Sequence, residues 1–446
     1  MKLKLLLISC VCTLVHCEEL EIRLKTASNV KPIYISRIHA QSPPLDWHYC
    51  EELRTVLEND LLLGGYASVL SIKEEYEEAI STSDARELTT TLWLKEKIPY
   101  VLIMHMADNR LQITAYNIEK SSVKRYPEIV LSEALERDRK KIHQLSDTIH
   151  RDLFGQDGIA SLRLIYSLRQ QQTNGQYASE IWISDSDGMN AQRATREGAY
   201  CITPSFYPHT AGMDNPPFYY ISYESGQSKI YRAYLGDALG TPIVELRGNQ
   251  ALPKLNLKGS QMAFIADAAG RPDLFVQTFT SDGKPLGKSR QLFSAPRASQ
   301  ASPTFSPDSK KIAFVSDKDG APRIYLMDIT SHEANKRPKP FLITVKNREN
   351  TCPSWSPDGK KIAYSAKVEG IRQIWIYDVQ TQSEQQLTNG SGNKENPCWS
   401  PDSVHLAYNT DSEEEGEIFL IDLHRKEPMQ ISKGKGQKRF PSFETR

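Results

Sequence analysis

Three aspartates recur at matching positions of the sequence, and carboxylates held at fixed spacing can act as metal ligands or as catalytic acids. Each follows a Ser-Pro pair; they are Asp308, Asp358 and Asp402. A catalytic carboxylate is needed once in a protein, whereas a turn residue is needed in every unit of a repetitive fold. In Ser-Pro-Asp-Gly the proline fixes φ, the aspartate side chain accepts a hydrogen bond from the turn backbone and the glycine takes a positive φ. We therefore predict that these aspartates are turn residues.

Signatures of other catalytic or metal sites are missing from the sequence. It has no G-x-S-x-G nucleophile elbow, no P-loop, no H-E-x-x-H motif and no Rossmann glycine fingerprint. The 10 histidines are scattered. His143 and His150 share a predicted helix but lie seven residues apart, which we interpret as structural. The sequence thus predicts a non-enzymatic protein with no catalytic residue, no metal and no cofactor.

The role of the cysteines stays open at this point. Four of the seven cysteines lie beyond the N-terminal segment: Cys50, Cys201, Cys352 and Cys398. None belongs to a Cys-x-x-Cys pair or has a histidine at zinc spacing. They are either small buried apolar residues or, in an oxidising compartment, disulfide partners, for which Cys352 and Cys398 are the pair to test.

The N-terminus has the pattern of a targeting segment. Lys2 and Lys4 precede an apolar run from Leu5 to Val15, which is shorter than the about 20 apolar residues of a membrane-spanning helix. We predict a signal peptide, residues 1–17, and an exported, soluble mature protein; lipidation of Cys17 is the alternative. No later segment is apolar enough to cross a membrane. The 55 basic and 55 acidic residues balance, so there is no basic surface for nucleic acid.

A repeat dominates the C-terminal part of the chain. Three segments agree closely: PTFSPDSKKIAF from Pro303, PSWSPDGKKIAY from Pro353 and PCWSPDSVHLAY from Pro397. Weaker copies begin at Pro204, Pro253 and Pro441, and the steps between the six prolines are 49, 50, 50, 44 and 44 residues. This is the length of one four-stranded propeller blade with its loops.

Each repeat also has two aromatic residues at regular positions. The first lies at the end of the second apolar run: Tyr166, Tyr220, Phe264, Phe314, Tyr364 and Tyr408. The second lies at the centre of the third apolar run: Trp182, Tyr231, Phe275, Tyr325, Trp375 and Phe419. From Tyr220 onward the two aromatic residues are always eleven residues apart. Short apolar runs joined by such turns indicate strands, and we predict an all-β, six-bladed propeller over residues 158–446.

The order of the strand types predicts how the propeller closes. The region begins with a strand of the second type, Arg163–Ser167, and ends with one of the first type, Phe440–Phe443. The C-terminal strand would then complete the first blade, which pairs the two ends and leaves no exposed sheet edge. Trp355 and Trp399 are expected to pack between neighbouring blades.

Residues 18–157 carry no repeat and predict an α+β N-terminal domain built as a small α/β layer. Strands are expected at Ile33–Ile38, Ser68–Ile72, Tyr100–Met106 and Leu111–Asn117. Helices are expected at Trp47–Leu62, Asp84–Leu94 and Ile129–Phe154, the last ending at Gly155. Residues 18–29 would form a mobile arm ahead of this core.

These features together resemble the TolB family, the periplasmic propeller proteins of the Tol-Pal system of Gram-negative envelopes. The resemblance rests on the PSWSPDGKKIAY repeats, on the α/β region before them and on the junction HQLSDTIHRDLFGQDGIASLRLIYS, His143 to Ser167. It implies an adaptor that binds the peptidoglycan-associated lipoprotein Pal through the propeller and TolA through the N-terminal arm, with outer-membrane proteins as further partners. It also implies a role in outer-membrane integrity and cell division.

The resemblance further implies which residues contact partners. Positions around the starts of the Pro-x-aromatic strands would face Pal: Asn249, Leu252, Ala301, Ser302, Arg348, Asn350, Lys394, Glu395, Lys438 and Arg439. In the arm, Glu21, Ile22 and Arg23 would contact TolA. The family usually has histidine in place of Asn249, and its arm continues with an acidic Asp-Ser-Gly that this sequence lacks.

Two functions of other classes also fit a propeller. The propeller of a serine peptidase would accompany a hydrolase domain with a nucleophile elbow, and the sequence has neither. A periplasmic propeller that binds small molecules or sugars would hold its ligand in a polar central funnel. A protein-binding propeller would instead present a broad mouth ringed by loops.

Overall fold

The chain folds into an N-terminal α/β region followed by six four-stranded sheets. The computed structural model describes residues 30–40, 46–81, 88–330, 339–412, 415–424 and 427–446. Within them, the sheets are the blades of a propeller, and their first strands line one central cavity. The predicted fold class is confirmed.

The N-terminal domain is a mixed sheet with helices packed on it. Its strands are β1 (Lys31–Ala40), β2 (Ala67–Val69), β3 (Tyr100–Ala107), β4 (Arg110–Asn117), β5 (Ser122–Arg125) and β6 (Ile129–Val130). Its helices are α1 (Trp47–Leu63), α2 (Glu74–Ser81), α3 (Thr91–Lys95) and α4 (Leu135–Phe154). The strand order is β2-β1-β3-β4-β5, with β1 parallel to β2 and β3, and β6 pairs with β4. Leu57 of α1, Leu102 of β3 and Ile149 of α4 share its main core.

The helix α4 is shorter than the sequence predicted. Ile129–Val130 form a strand, and Ala134 has an extended backbone with φ −104° and ψ 101°, so the predicted start at Ile129 is wrong. The reason is strand pairing, because Leu131 N donates a hydrogen bond to Asn109 O over 2.8 Å and holds this segment beside β4. The C-terminal end is as predicted, since Gly155 takes φ 71° and closes the helix.

Other elements of this domain also differ from the prediction. The strand expected at Ser68–Ile72 is Ala67–Val69. In the region of Asp84–Leu94 the described helix is Thr91–Lys95, and residues 82–87 lie outside the described part of the chain. The helix α2 and the strand β5 were not predicted. These are short elements, in which periodicity gives little signal.

Each blade is a four-stranded antiparallel sheet. The blade formed by both ends of the propeller region is called the closing blade, and its strands from the beginning of the region are β7 (Arg163–Gln171), β8 (Tyr177–Asp185) and β9 (Gln192–Arg193). Blade 1 contains β10 (Ile202–Phe206), β11 (Phe218–Ser222), β12 (Lys229–Ala233) and β13 (Thr241–Pro242). Blade 2 contains β14 (Gln250–Leu255), β15 (Gln261–Ala266), β16 (Asp273–Phe279) and β17 (Pro285–Phe293). Blade 3 contains β18 (Gln300–Phe305), β19 (Lys311–Ser316), β20 (Arg323–Asp328) and β21 (Phe341–Leu342). Blade 4 contains β22 (Asn350–Trp355), β23 (Lys361–Val368), β24 (Ile371–Asp378) and β25 (Glu384–Gln386). Blade 5 contains β26 (Asn393–Trp399), β27 (His405–Asp411), β28 (Ile418–Asp422) and β29 (Met429–Gln430), and β30 (Gln437–Phe443) completes the closing blade.

The propeller closes as the sequence predicted. The strand β30 pairs antiparallel with β7, with Phe443 opposite Leu164 and Arg439 opposite Ser167. Beyond this pairing, Arg163 forms an ion pair of 2.7 Å with the carboxylate of Glu444, whose side chain is 1% exposed. The two ends of the propeller region are thus joined by a ladder and by a buried charge pair.

The evenly spaced aromatic residues face each other across the second and third strands of each blade. Tyr364 lies opposite Trp375, and Tyr408 lies opposite Phe419 with ring centroids 5.8 Å apart. In the closing blade, where the hairpin is longer, Tyr166 still lies opposite Trp182. The repeated spacing therefore marks strand register, and the paired rings stabilise each hairpin.

The Ser-Pro-Asp segments form turns, as predicted. Asp358 Oδ1 accepts hydrogen bonds from Ser356 Oγ over 2.6 Å and from Lys360 N over 3.0 Å, and Gly359 takes φ 76°. The other two aspartates of the set accept corresponding backbone hydrogen bonds. All three carboxylates therefore act as hydrogen-bond acceptors within their turns.

Trp355 and Trp399 join neighbouring blades, also as predicted. Trp355 packs in one cluster with Val315 of blade 3 and Tyr364 of its own blade 4. Trp399 Nε1 donates a hydrogen bond to Ser354 O of blade 4 over 3.0 Å. Both indoles bury apolar area between blades, and Trp399 also satisfies its N–H across the blade boundary, whereas Trp355 Nε1 donates to Gly359 O of its own blade over 3.1 Å.

The junction between the domains is tied to α4 by Asp147. Its carboxylate accepts hydrogen bonds from Ala160 N over 2.9 Å and from Ser161 N over 3.2 Å. Residues 158–162 therefore enter the propeller at a fixed place on the helix. We propose residues 18–157 and 158–446 as the two domains.

Candidate partner-binding face

The first strand of each blade lies beside the central channel. Each carries a proline of the repeat, and the residue before that proline has a positive φ: Thr203 (50°), Leu252 (51°), Ser302 (44°), Cys352 (53°), Asn396 (52°) and Phe440 (55°). At each of these positions the register with the second strand shifts, so every first strand has a bulge. Positive φ is uncommon outside glycine. Because it recurs in all six blades, we interpret it as a requirement of the fold.

The channel contains a small cavity of about 120 Å³, lined by these six residues and by the prolines that follow them. Among the lining residues in the described part of the chain, Lys254 is the one with a charged side chain. Hydroxyl groups supply most of the remaining polarity, and Ser205 Oγ and Ser442 Oγ lie 3.0 Å apart within hydrogen-bonding distance. The cavity is therefore narrow and carries a single positive charge.

The two faces of the propeller differ in their contacts. We call the side with the Ser-Pro-Asp turns (residues 306–310 and their equivalents) the turn face, and the side where the first strands begin (residues 249–252 and their equivalents) the rim face. Polar contacts from the N-terminal domain reach the turn face: Lys140 to Asp214 at 3.2 Å, Tyr66 to His424 at 3.2 Å and Asp147 to Arg446 at 3.1 Å. These contacts between described residues all lie on the turn face, on the opposite side of the propeller from the rim face.

The ten residues expected to contact Pal all lie at the rim face, in or just ahead of the first strands of blades 2 to 5 and the closing blade. Seven of them keep solvent-accessible surface: Asn249, Leu252, Ala301, Ser302, Arg348, Glu395 and Arg439. Asn249 and Arg348 are exposed, and Leu252 and Ser302 line the channel. Residues far apart in sequence thus share one ring.

The other three, Asn350, Lys394 and Lys438, are buried. Lys394 Nζ donates hydrogen bonds to three backbone carbonyl oxygens of residues 390–392 over 3.3, 2.8 and 3.0 Å, and burial lowers the pKa of Lys394. Lys438 forms an ion pair of 2.7 Å with Glu417. Asn350 Nδ2 donates to Asn347 O over 2.7 Å. In this structure these side chains hold the rim together, and a partner would meet the surface around them.

Charges of both signs alternate on the rest of the rim. Arg372 Nε lies 3.1 Å from Glu395 Oε1. Arg439 forms an ion pair with Asp411, and Asn249 Nδ2 donates to Asp267 Oδ2 over 2.9 Å. Burial, together with the negative charge of Asp411, raises the pKa of Glu395. Such mixed, partly paired charges suit a hydrated interface that orients a partner.

Part of this ring was not among the predicted site residues. The residue before the repeat proline was predicted in blades 2 and 3, as Leu252 and Ser302. In the other blades this position is held by Thr203, Cys352, Asn396 and Phe440, which were not predicted. The signal was present, because the repeat proline marks the position in every copy. What the sequence did not show is that a bulge turns this residue toward the channel.

Three other predictions concern the N-terminal arm, the cysteines and membrane-spanning segments. Glu21, Ile22 and Arg23, like the predicted signal peptide, lie outside the described residues. Cys352 and Cys398 are both free thiols, so of the two alternatives left open the structure shows unpaired cysteines. Among the described helices, none is long and apolar enough to cross a membrane.

Comparison with known proteins agrees with this architecture. Residues 150–445 match the family described as the TolB beta propeller domain. Protein TolB homolog of Protochlamydia amoebophila (strain UWE25) is 39% identical over 281 residues, which cover 62% of this chain and 60% of that protein. Protein TolB homolog of Chlamydia pneumoniae is 32% identical over 287 residues, which cover 64% of this chain and 61% of that protein. The match thus spans about 60% of the length of these relatives.

A solved structure shows the same fold over nearly the whole chain. The crystal structure of TolB from Acinetobacter baumannii superposes with a TM-score of 0.75 at 21% sequence identity, covering 95% of this chain and 98% of that chain. The family match extends over well more than half of the sequence and coincides with the six blades. On these grounds the protein belongs to the TolB β-propeller family.

Proposed function

We propose that the protein is a non-enzymatic periplasmic adaptor that binds a Pal-like, peptidoglycan-associated lipoprotein across its rim face. The observation that carries this proposal is the division of the propeller into two faces. The N-terminal domain contacts the turn face, for example through Lys140 and Asp214, while the rim face presents a ring of polar residues on a rigid scaffold. Binding sites on such scaffolds are commonly built from the strand ends and loops.

The size of the channel favours a protein partner over a small ligand. Pockets for small molecules usually measure about 300–1,000 Å³, whereas the cavity here measures about 120 Å³. A sugar would therefore not be enclosed by this cavity. A protein could instead span the ring and place one acidic side chain near Lys254.

We extend the proposal to the N-terminal arm and to the cellular role. Residues 18–29 would contact TolA through Glu21, Ile22 and Arg23, and the complex would support outer-membrane integrity and cell division. Membership of the TolB β-propeller family supports this extension.

The proposal is tested by pull-down from a detergent-solubilised envelope extract, with the chain lacking its predicted signal peptide as bait. We expect a peptidoglycan-binding lipoprotein to be recovered and identified by mass spectrometry. Arg348→Glu should recover about tenfold less, the effect of losing about 1.4 kcal/mol of binding free energy. The matched control is Lys360→Glu, which reverses an exposed charge on the turn face of the same blade.

Two results would contradict the proposal. Failure of the unmodified chain to recover any such lipoprotein would remove the adaptor function. Equal recovery by Arg348→Glu and by the unmodified chain, with loss in Lys360→Glu, would move the binding surface to the turn face.

A further inference from the structure

A cluster of histidine and carboxylate groups lies where α4 meets the closing blade. His143 comes from the middle of α4, Asp185 ends β8, and Asp187 lies in the turn before β9. One ligand atom from each of these three residues lies within 4.8 Å of the others. The cluster therefore joins the N-terminal domain to the propeller through groups that metal ions bind.

The imidazole of His143 is held in the orientation of a metal ligand. Its Nδ1 lies 2.8 and 2.9 Å from the two carboxylate oxygens of Asp60, a fully buried side chain of α1. The proton on Nδ1 is donated to Asp60, so the neutral imidazole carries its lone pair on Nε2. A carboxylate behind the histidine is the usual outer partner of a metal-bound imidazole.

The Nε2 atom of His143 points into the cluster without a hydrogen bond. The side chain is 2% exposed, and Nε2 is a buried nitrogen with no hydrogen-bond partner in the described chain. The nearest carboxylate oxygen, Oδ2 of Asp185, is 3.8 Å away, which is too far for a hydrogen bond. Buried polar atoms rarely lack a hydrogen-bond partner, so we expect this nitrogen to bind a ligand.

The two carboxylates are also held in place. Asn190 Nδ2 donates to Asp185 Oδ2 over 2.7 Å, and Met189 N donates to Asp187 Oδ1 over 3.1 Å. Arg139 forms an ion pair with Asp187 and is the one cation paired with this cluster in the described residues. One guanidinium thus offsets the two carboxylates of Asp185 and Asp187, and the remaining negative charge favours a further cation.

We propose that His143 Nε2, Asp185 and Asp187 bind a divalent transition-metal cation of the Zn²⁺ type, with Asp60 as the outer partner of the histidine. An imidazole ligand favours zinc-like ions, because Mg²⁺ and Ca²⁺ prefer sites made of oxygen alone. The cation would pin α4 to the closing blade and so fix the N-terminal domain on the turn face. The sequence predicted no metal, because residues 60, 143, 185 and 187 come together only in the folded chain.

The test is calorimetric titration of Zn²⁺ into chelator-treated protein that lacks the predicted signal peptide. We expect one equivalent to bind, and Co²⁺ at the same site to give visible d–d bands without thiolate charge transfer. The double variant Asp185→Asn with Asp187→Asn should lose this binding, while the amides preserve side-chain shape. Asp60→Asn should weaken it by about 10- to 100-fold. The matched control is Asp214→Asn, which removes an exposed carboxylate from the same domain interface.

Several outcomes would overturn the proposal. Absence of saturable Zn²⁺ binding would leave His143 as an ion-pair bridge between the domains. Equal binding by the double variant and by Asp214→Asn would place the ion elsewhere. A charge-transfer band from thiolate to Co²⁺ would assign it to cysteines, and Mg²⁺ binding of equal affinity would exclude a site that depends on the imidazole.

Discussion

His405 occupies the position that Lys311 and Lys361 hold in the two closely matching repeats. Its imidazole is 2% exposed, and Nδ1 lies 2.5 Å from Asp402 Oδ2. It also packs against the N-terminal domain, since a Cβ on Gly65 would lie 3.4 Å from His405 Nε2. At the residue scale, therefore, a histidine in place of the lysine of those two repeats provides a contact between blade 5 and the N-terminal domain.

This contact predicts a pH dependence of stability. Burial opposes the charged form of His405, but Asp402 outweighs it and raises the pKa of His405; likewise, burial opposes the charged form of Asp402, and His405 lowers the pKa of Asp402. The other titratable groups around His405 are Asp422, Tyr66, His150 and His424. The histidine contributes stability fully below its unfolded pKa of about 6.5 and loses it as the pH rises through the folded value. The aspartate contributes above about pH 3.9 and loses its contribution as the pH falls.

His405→Gln should therefore destabilise the protein most between about pH 4 and pH 6.5. We expect a loss of about 1–3 kcal/mol in the free energy of unfolding there, since a buried carboxylate loses its charged partner. The measurement is denaturant unfolding of both proteins at about pH 5 and about pH 9. An equal loss at both values would show that the imidazole acts by packing alone.

Buried and exposed rim residues should respond differently to substitution. Lys394→Met removes the lysine donor from the carbonyl oxygens of residues 391 and 392, whereas that of residue 390 keeps a hydrogen bond from Gln373 Nε2. We expect the substitution to cost about 1–3 kcal/mol of stability. Arg348→Glu changes an exposed side chain and should stay within about 0.5 kcal/mol of the parent. Thermal unfolding of both variants checks this, and a stable Lys394→Met protein would mean that the buried lysine contributes little.

At the scale of elements, the strand β30 carries the closure of the ring. It is bonded to β7 along its length, and its neighbour Glu444 pairs with Arg163. Without it, the closing blade would expose an edge strand and the first strand of the channel would be missing. The order of strand types along the chain predicted this arrangement. The propeller region begins with a strand of the second type and ends with one of the first type, and these two complete a blade only if they pair.

Deleting residues 437–446 should therefore destabilise the whole ring rather than one blade. We expect the truncated chain to lose cooperative thermal unfolding and to be cut rapidly by protease in the native buffer. Deleting Arg446 alone is the control, since it keeps β30 and removes contacts with residues near the junction, such as Asp147, and one with His209. A truncated chain that melts like the parent would show that closure contributes little stability.

At the scale of the whole molecule, Asp147 is the residue on which the two domains converge. Its carboxylate, 8% exposed, receives the backbone of residues 160 and 161 and the guanidinium of Arg446. A side chain on Gly158 would collide with it, because a Cβ there would lie 2.3 Å from Asp147 Oδ1. The carboxylate of Asp147 on α4 thus binds both the junction, at residues 160 and 161, and the C-terminal residue Arg446.

Asp147→Ala should uncouple the domains. It leaves the Ala160 N–H buried without its acceptor, which we expect to cost about 1–3 kcal/mol and to separate the unfolding of the two domains in calorimetry. Asp152→Ala on the same helix is the matched control, since Asp152 is more exposed and pairs with Lys124. A single unchanged transition in Asp147→Ala would show that the apolar contacts between the domains are sufficient.

The sequence by itself determined the number of blades, their strand register and the closure of the ring. Each of these follows from local physics repeated along the chain: proline and aspartate form the turns, and an aromatic at constant spacing faces its partner across a hairpin. The predicted start of α4 was wrong: Leu131 is in helical register with Leu135 and Ile142, but Ile129 and Leu131 are held by hydrogen bonds to the hairpin of β3 and β4.

Only the tertiary structure decided which rim residues are accessible and which groups meet between the domains. Lys394 and Arg348 are both basic residues near the start of a first strand, yet one is buried among carbonyls and the other is exposed. Asp60, His143 and Asp185 belong to three elements whose sequences carry no common pattern. Burial and proximity depend on how whole elements pack, and that packing sums many weak contacts that no local pattern records.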